Sequence, residues 1–370
     1  MPRKILHLDL DAFFCAVEEQ RDPLLKGKPF AVGGRPEERG VVSSCSYPAR
    51  RYGVHSAMPM ARAFRLCPGL IIIPPHFQAY HEASRQVMAR LYELTPLVEQ
   101  LSIDEAFLDV SDLPEPAETI ARQLQARIRD ELSLPCSLGA ATNKLVAKIA
   151  NDAGKGEVKS NEPPNAIKVV PPGEEAAFLA PLPSRALWGV GPKTAARLAD
   201  LGLLTIGDMA RWPEADLIRR FGKNGYDLAR RARGLDNRPV ETNREAKSIS
   251  QETTFAHDIA DPLALSQTLR QQAEEVARRL RKSDLSGITV RLKIRWSDFT
   301  TLTRQVTLSQ PTDREDEIYV AAFQLLQKVW PAGRPVRLIG VGVSGFGLPR
   351  QLRLWDTRFE EEQRLQAMPE

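Results

Sequence analysis

Two adjacent carboxylates, Asp104 and Glu105, interrupt an apolar stretch, Ser102-Ile103-Asp104-Glu105-Ala106-Phe107-Leu108-Asp109-Val110. Leu101 and Ile103 on one side and Phe107, Leu108 and Val110 on the other read as strand, turn, strand. That pattern puts both acids at the tip or edge of a buried hairpin. Such a pair needs a cation or a basic partner unless the turn is solvated, because charge does not enter an apolar core uncompensated. A second acidic stretch lies at the amino terminus, Lys4-Ile5-Leu6-His7-Leu8-Asp9-Leu10-Asp11-Ala12-Phe13-Phe14. Strand alternation sets Asp9 and Asp11 on one face and Leu8 and Leu10 on the other. If Asp9 meets Asp104 in space, three carboxylates converge as hard oxygen ligands for Mg²⁺ and a triphosphate. The alternative is an edge strand with solvated acids. Two such ions activate an attacking hydroxyl, orient a phosphate and stabilise the leaving oxygen.

The elements that must position these acids follow from periodicity. Residues 1–14 read as a first strand and 15–26 as the start of a helix. Strands follow over 29–34 and 40–46 in a compact stretch, 15–75, rich in Arg, Pro and short helices. Residues 76–95 are helical, with Ala83, Val87 and Leu91 on one face and Thr95-Pro96 as the stop. The acidic hairpin spans 98–110, a second helix runs from Glu115 to Leu132, and Cys136 to Ala141 is a strand. Strand, helix, hairpin, helix, strand fits a ferredoxin-like α+β unit assembled from both sides of the inserted 15–75 segment. Beyond a polar linker over 233–246, the order β-α-β-β-α-β between Ser248 and Val343 is a split βαβ sheet with both helices on one face. Arg291, Lys293 and Arg295 alternate on one strand of it, either as a seat for a phosphate backbone or as solvated bases.

Three segments carry a family resemblance. Asp-Leu-Asp-Ala-Phe-Phe at 9–14, Tyr-Pro-Ala-Arg-Arg-Tyr-Gly-Val at 47–54 and Ser-Ile-Asp-Glu-Ala-Phe-Leu-Asp at 102–109 resemble the Y-family translesion DNA polymerases in order and spacing. The similarity runs across nearly the whole chain. It implies an α+β multidomain right-hand polymerase: a palm over 1–14 and 76–165, fingers over 15–75, a helical thumb over 166–232, a linker over 233–246 and a little finger over 247–345. It also implies a low-fidelity, template-directed enzyme that adds deoxynucleotides and bypasses lesions. Palm, fingers, thumb and little finger account for the chain, which leaves no segment for a proofreading nuclease.

The resemblance implies residue roles as well. Asp9, Asp104 and Glu105 would hold two Mg²⁺ ions with help from the Leu10 carbonyl, Glu105 acting directly or by orienting the site. Read from the residues alone, Phe13 and Phe14 are strand-end core aromatics. In the family, the position of Phe14 is a steric gate against a ribose 2′-hydroxyl, with Phe13 its neighbour in the nucleotide site. Tyr47 and Arg50, at a helix start after Ser46, would hold the triphosphate, Arg50 as a bidentate fork. Val41 and Ser43 would roof the base pair. Lys155 falls on a position implied to neutralise the triphosphate, but Lys155-Gly156 and a polar stretch to Asn165 replace the family's usual Lys-Pro turn. A mobile surface lysine is the alternative there.

In the implied thumb, Trp188-Gly189-Val190-Gly191-Pro192-Lys193-Thr194 resembles a helix-hairpin-helix. In that motif glycines bring backbone N–H groups to a duplex phosphate without reading sequence. The tail, residues 346–370, contains Gln351-Leu352-Arg353-Leu354-Trp355. It resembles the peptide by which such polymerases dock on a sliding clamp, with Gln351, Leu352, Leu354 and Trp355 as the contacts; a packed or disordered tail is the other reading.

Bulk composition bounds these readings without choosing among them. At 370 residues the chain can hold several small cores. A net charge of +4 permits a polyanion partner but does not require one, so the distribution of charge matters more than its sum. Cys15, Cys45, Cys67 and Cys136 form no Cys-x-x-Cys pair and read as reduced, buried thiols of a cytoplasmic protein. No signal peptide or membrane-spanning run is evident. The expected partners are primer–template DNA, deoxynucleoside triphosphates and the clamp, bound by a monomer. Two rivals remain at this point. One is a catalytically silent DNA-binding scaffold; the other is a nucleotidyl cyclase, which has no need of the helix-hairpin-helix or the terminal sheet.

Overall fold

A computed structural model describes residues 2–158, 162–243 and 245–347. The chain divides into two compact units, Met1–Arg244 and Glu245–Glu370. In chain order the first unit opens with β1 (Ile5–Leu10), α1 (Phe13–Arg21), β2 (Phe30–Gly33), β3 (Val42–Cys45), α2 (Tyr47–Arg50), α3 (Met60–Leu66) and β4 (Ile71–Ile73). It continues with α4 (Phe77–Leu94), β5 (Val98–Gln100), β6 (Glu105–Asp109), α5 (Ala117–Leu132), β7 (Cys136–Ala141), α6 (Lys144–Glu157) and β8 (Ile167–Val169). Five short helices follow: α7 (Glu175–Leu179), α8 (Pro192–Ala199), α9 (Ile206–Arg211), α10 (Glu214–Phe221) and α11 (Lys223–Ala232).

The main sheet has the order β5-β6-β1-β7-β8, with β1 at its centre. Helices cover it on both faces, which is why β1 reads as an almost continuous apolar run. Leu6, Leu8 and Leu10 pack with Val87 and Leu91 of α4 and with Ile120, Leu124 and Ile128 of α5. Ile5 and Phe107 face the other way, into a core with Leu145 and Ile149 of α6. The inserted segment makes its own sheet, β3-β2-β4, around Ala31, Val42, Cys45, Met60 and Leu70. All four cysteines are buried and unpaired. Among the described residues no helix is long and apolar enough to cross a membrane.

Four sequence expectations change. The first strand stops at Leu10, not at residue 14: Ala12 takes a left-handed backbone, φ 48°, and turns the chain straight into α1. Phe13 and Phe14 therefore open a helix instead of ending a strand. Lys155 is not in a polar loop but on the last turn of α6, because the helix continues through Gly154 and Gly156 to Glu157. Residues 167–169, expected in the helical unit that starts at 166, instead form β8 and pair in parallel with β7. The polar stretch after Arg233 is strapped to α6 along its first half: Asn143 Nδ2 donates to the Gly234 carbonyl at 2.9 Å, and the Leu145 N–H donates to Asp236 Oδ2 at 3.1 Å.

The second unit has the expected order: β9 (Ser248–Ile259), α12 (Pro262–Lys282), β10 (Gly287–Trp296), β11 (Thr301–Thr312), α13 (Glu315–Val329) and β12 (Val336–Ser344). Its antiparallel sheet runs β11-β10-β12-β9. Asp261 caps α12 by accepting from the N–H groups of Leu263 and Ala264, with Pro262 at the first helical position. Leu265, Leu269 and Val276 of α12 and Ile318 of α13 pack on Val290, Leu292, Ile294, Ile339 and Val341. Strand alternation then leaves Arg291, Lys293 and Arg295 on the uncovered face.

Candidate active site

The acids of β1 and the hairpin meet through strand pairing. Asp9 lies opposite Glu105 of β6 on one side and Ser137 of β7 on the other. The Leu10 N–H donates to the Asp104 carbonyl at 3.0 Å, which fastens the acidic turn to the end of β1. Inside that turn Ser102 Oγ donates to Asp104 Oδ1 at 2.5 Å and accepts from the Glu105 N–H at 3.1 Å. A cavity of about 410 Å³ opens beside it. Its walls include Asp9, Leu10 and Asp104, together with Phe13, Phe14, Tyr47, Arg50 and Lys155. The cavity thus brings together every residue expected to bind metal or nucleotide except Glu105.

Glu105 is turned elsewhere. Lys148 Nζ donates to its Oε2 at 2.9 Å, and His7 Nε2 stands 3.7 Å from the same oxygen. Asn151 Nδ2 contacts His7 Nδ1 at 3.0 Å, which leaves the His7 proton on Nε2, toward Glu105. Burial pulls His7 below its usual range, so the ring is neutral. His7, and after it Lys148, hold Glu105 down to about 2. Asp9 behaves in the opposite way. Burial pushes it up to about 7 against the pull of Lys155, with Glu105 and Asp104 adding to the rise. Among the described residues no three acidic, imidazole or thiol side chains are gathered closely enough to hold one ion. The expected convergence is therefore two carboxylates, Asp9 and Asp104, on one wall with the third tied behind them.

That wall still suits a hard cation. It offers carboxylate oxygens and the backbone at Leu10. A cation already stands on it: Lys155 Nζ donates to Asp9 Oδ1 at 2.5 Å and lies 3.1 Å from Asp11 Oδ1. Burial alone would lower the Lys155 ammonium, but Asp9 and Asp11 together raise it above its ordinary value. Asp11, just past the end of β1, lies on the same side as Asp9 and shares Lys155 with it, yet it is fully buried and held by Ser137 Oγ at 3.0 and 2.8 Å.

The opposite wall is aromatic and basic. Phe14 stacks on Tyr80, with centroids 4.2 Å apart and rings 12° from parallel, while Phe77 meets it edge-on. Tyr80 is fixed in turn, its hydroxyl donating to buried Glu18 Oε1 at 2.5 Å, an oxygen that also meets His76 Nδ1 at 2.9 Å. Phe13 is buried in the core, whereas Phe14 is half-buried at the cavity. Ser46 caps α2 and Pro48 sits in its first turn, which sets Tyr47 and Arg50 one turn apart. Arg50 lies 4.8 Å over the Tyr47 ring and spends its Nε on the Cys45 carbonyl, a bond that does not use the terminal amines. Burial pushes the Tyr47 hydroxyl up, with Asp11 adding to the rise, so it is a neutral donor.

Sequence reasoning missed Tyr80, Glu18, His7, Lys148 and Asn151. Two signals were available. Glu18 stands four residues after Phe14, on the same side of α1. Lys148, Asn151 and Lys155 occupy one stripe of α6 at helical spacing, a polar line beside the apolar residues that the helix buries.

In the helical part of this unit, Gly189 has a left-handed backbone, φ 98°, and Gly191 precedes Pro192 at the start of α8, with Lys193 exposed beside it. In the second unit Lys293 is paired with Glu252 at 2.8 Å, and Arg295 Nε donates to Thr301 Oγ1 at 2.8 Å. Arg291, Lys293 and Glu252 line a shallow trough of about 240 Å³ whose floor includes Gly340 and Gly342. The tail residues Gln351, Leu352, Leu354 and Trp355 lie outside the described residues.

Comparison with known proteins gives a consistent picture. A model of the impB/mucB/samB family matches residues 8–152, one of its C-terminal domain matches 246–354, and one of the IMS family HHH motif matches 172–203. DNA polymerase IV of Alkalilimnicola ehrlichii is 43% identical over 346 residues, covering 93% of this chain and 95% of that protein. DNA polymerase IV of Listeria monocytogenes is 43% identical over 92% of this chain and 95% of its own length. Among solved structures, the Y-family DNA polymerase chimera Dbh-Dpo4(243-245)-Dbh covers 94% of this chain and 100% of its own, with 27% identity and a TM-score of 0.82. An insertion ternary complex of Dbh DNA polymerase aligns over 94% of this chain and 100% of that one, with 28% identity and a TM-score of 0.64. The chain belongs to the impB/mucB/samB family, the Y-family DNA polymerases, and within it resembles bacterial DNA polymerase IV.

Proposed function

We propose that this chain is a template-directed, low-fidelity DNA polymerase that adds deoxynucleotides to a primer and copies past lesions without proofreading. The observation that carries the reading is the cavity, which faces two carboxylates with a tyrosine, an arginine, a lysine and a stacked phenylalanine. A cyclase has no use for the helix-hairpin-helix segment or the terminal sheet, and a silent scaffold has no use for the carboxylate wall.

The first unit supplies palm, fingers and thumb, with the palm extended through β8, and the second unit is the little finger. Catalysis depends on divalent metal, and we assign two Mg²⁺ ions to Asp9, Asp104 and the Leu10 carbonyl. Bound there, the ions would lower the pKa of the primer hydroxyl and neutralise the leaving pyrophosphate. Glu105, oriented by Lys148 and His7, stands behind Asp9 and stiffens the side of the site that meets the primer end. Tyr47, Arg50 and Lys155 hold the triphosphate, Arg50 through its guanidinium fork. Phe14, backed by Tyr80, leaves no room for a 2′-hydroxyl and offers it no hydrogen bond. Phe13 supports that wall from the core. Backbone N–H groups around Gly189 and Gly191, with Lys193, hold duplex phosphates, and Arg291, Lys293 and Arg295 do the same on the little finger. Gln351, Leu352, Leu354 and Trp355 dock on a sliding clamp. The protein acts as a cytoplasmic monomer.

Asp104→Ala tests the assignment. Duplex binding should stay near the parent value while nucleotide addition is lost, since the carboxylate serves the metals and not the fold. Extension at even a tenth of the parent rate would remove Asp104 from the mechanism.

A further inference from the structure

Asp9 and Asp11 share one cation, the ammonium of Lys155, at 2.5 and 3.1 Å. The two acids are not equivalent. Asp11 is fully buried, bonded to Ser137 Oγ and to the Asn165 N–H at 3.1 Å, and is absent from the cavity wall. It is a fixed anchor. Asp9 faces the cavity, and the carboxylate that accepts from Lys155 is the one assigned to the metals. An ammonium 2.5 Å from Oδ1 and a divalent ion held by the same carboxylate would repel each other. Lys155 sits on the last turn of α6, and its side chain can leave because four carbons of flexible stem carry the charge. Tyr47 and Arg50, the triphosphate contacts, line the same cavity.

We propose that Lys155 is an exchanging cation. In the nucleotide-free protein it occupies the Asp9 oxygen, anchored by Asp11, and the arriving triphosphate draws it away and frees Asp9 for metal. Asp9 then keeps a positive partner throughout the cycle, the lysine first and metal after it, while Asp11 keeps the Ser137 hydroxyl and the Asn165 N–H when the lysine leaves. Metal and nucleotide binding become coupled through this chain's own lysine, and linkage makes the coupling reciprocal. The inference rests on the reading of Asp9 as a metal ligand and Lys155 as a phosphate contact, and the two arms of the test separate them.

The first arm titrates the full-length protein with Mn²⁺ alone, without nucleotide or DNA, and follows free Mn²⁺ by electron paramagnetic resonance. Lys155→Gln should bind Mn²⁺ at least about fivefold more tightly than the parent, the low end of ordinary coupling between sites. Arg50→Gln removes an equal charge from the same cavity without touching Asp9 and should not tighten Mn²⁺. Unchanged or weaker binding in Lys155→Gln overturns the exchange. Equal tightening in both variants also overturns it, since general charge would then be the cause. The second arm measures deoxynucleoside triphosphate affinity on primer–template with Ca²⁺. Lys155→Gln should weaken it. Tighter Mn²⁺ with unchanged nucleotide affinity sinks the phosphate reading, and the exchange with it. Should Lys155→Gln fail to fold, ¹⁵N NMR of lysine ammonium groups in the parent decides. The Lys155 signal should move when triphosphate and Ca²⁺ are added with primer–template, and a signal that stays in place refutes the exchange.

Discussion

Replacing Gly139 with alanine should damage the site from behind. Gly139 lies in β7 opposite His7 of β1, directly under α6. Its φ is not in the left-handed region, so the backbone itself suits alanine and the obstacle is space. A Cβ there would stand 2.0 Å from the Ala147 carbonyl oxygen and 2.5 Å from the Asn151 nitrogen. Both are backbone atoms, and no side-chain rotation relieves the overlap. Opening 2.0 Å to an ordinary 3.4 Å requires α6 to retreat by about 1.4 Å. That retreat pulls Asn151 from His7 and from the Ser137 carbonyl, and it carries Lys148 and Lys155 away from Glu105 and Asp9. Overpacking of this kind costs ~1–3 kcal/mol of stability. A misplacement of ~1 Å in a positioned group costs on the order of 100-fold in rate. The measurements are the urea midpoint and single-nucleotide extension on a primed template. Parental values in both would show that α6 does not sit this close to β7. A lowered midpoint with parental extension would instead show that the α6 lysines are not needed where they stand.

Three further outcomes can be checked directly. Phe14→Ala should admit ribonucleotides while reducing deoxynucleotide use only modestly, whereas Phe13→Ala, in the core, should cost ~3–5 kcal/mol in unfolding experiments; the reverse result would place the gate one residue earlier. Replacing Lys193, Arg291 and Arg295 together should flatten the dependence of log affinity on log salt by about one unit per lost phosphate contact, equally on unrelated duplexes. An unchanged slope would mean that these side chains are merely solvated. Alanines at Leu352, Leu354 and Trp355 should abolish stimulation by the clamp through loss of tethering, and leave synthesis on a short primer untouched. A fall in both would make the tail part of the folded enzyme.

Periodicity and composition determined a good deal of this protein by themselves. The second unit was legible almost residue by residue, because each helix and strand there keeps one apolar face and turn residues mark its ends. Arg291, Lys293 and Arg295 shared a face for the same reason, as did Asp9 and Asp11. The acidic hairpin was legible too, since an acidic pair flanked by apolar residues has few places to sit. What the sequence left open depended on contacts between residues distant along the chain. Glu105 was expected to converge with Asp9 and Asp104, but Lys148 and His7 approach from α6 and β1 and hold it behind them. Lys155 read either as a triphosphate contact or as a mobile surface lysine, because Lys155-Gly156 and a polar stretch replace the family's Lys-Pro turn. Packing of α6 over β7 and β8 carries the helix on to Glu157: Gly154 lies close against Lys168, where an added Cβ would stand 3.1 Å from the Lys168 Cβ. The pairing of Phe14 with Tyr80, and of Tyr80 with Glu18, joins α1 to α4, two helices far apart in the chain. Local sequence specifies which side chains share a strand or helix face; only the closed sheet and the helices packed on it decide which of those faces meet.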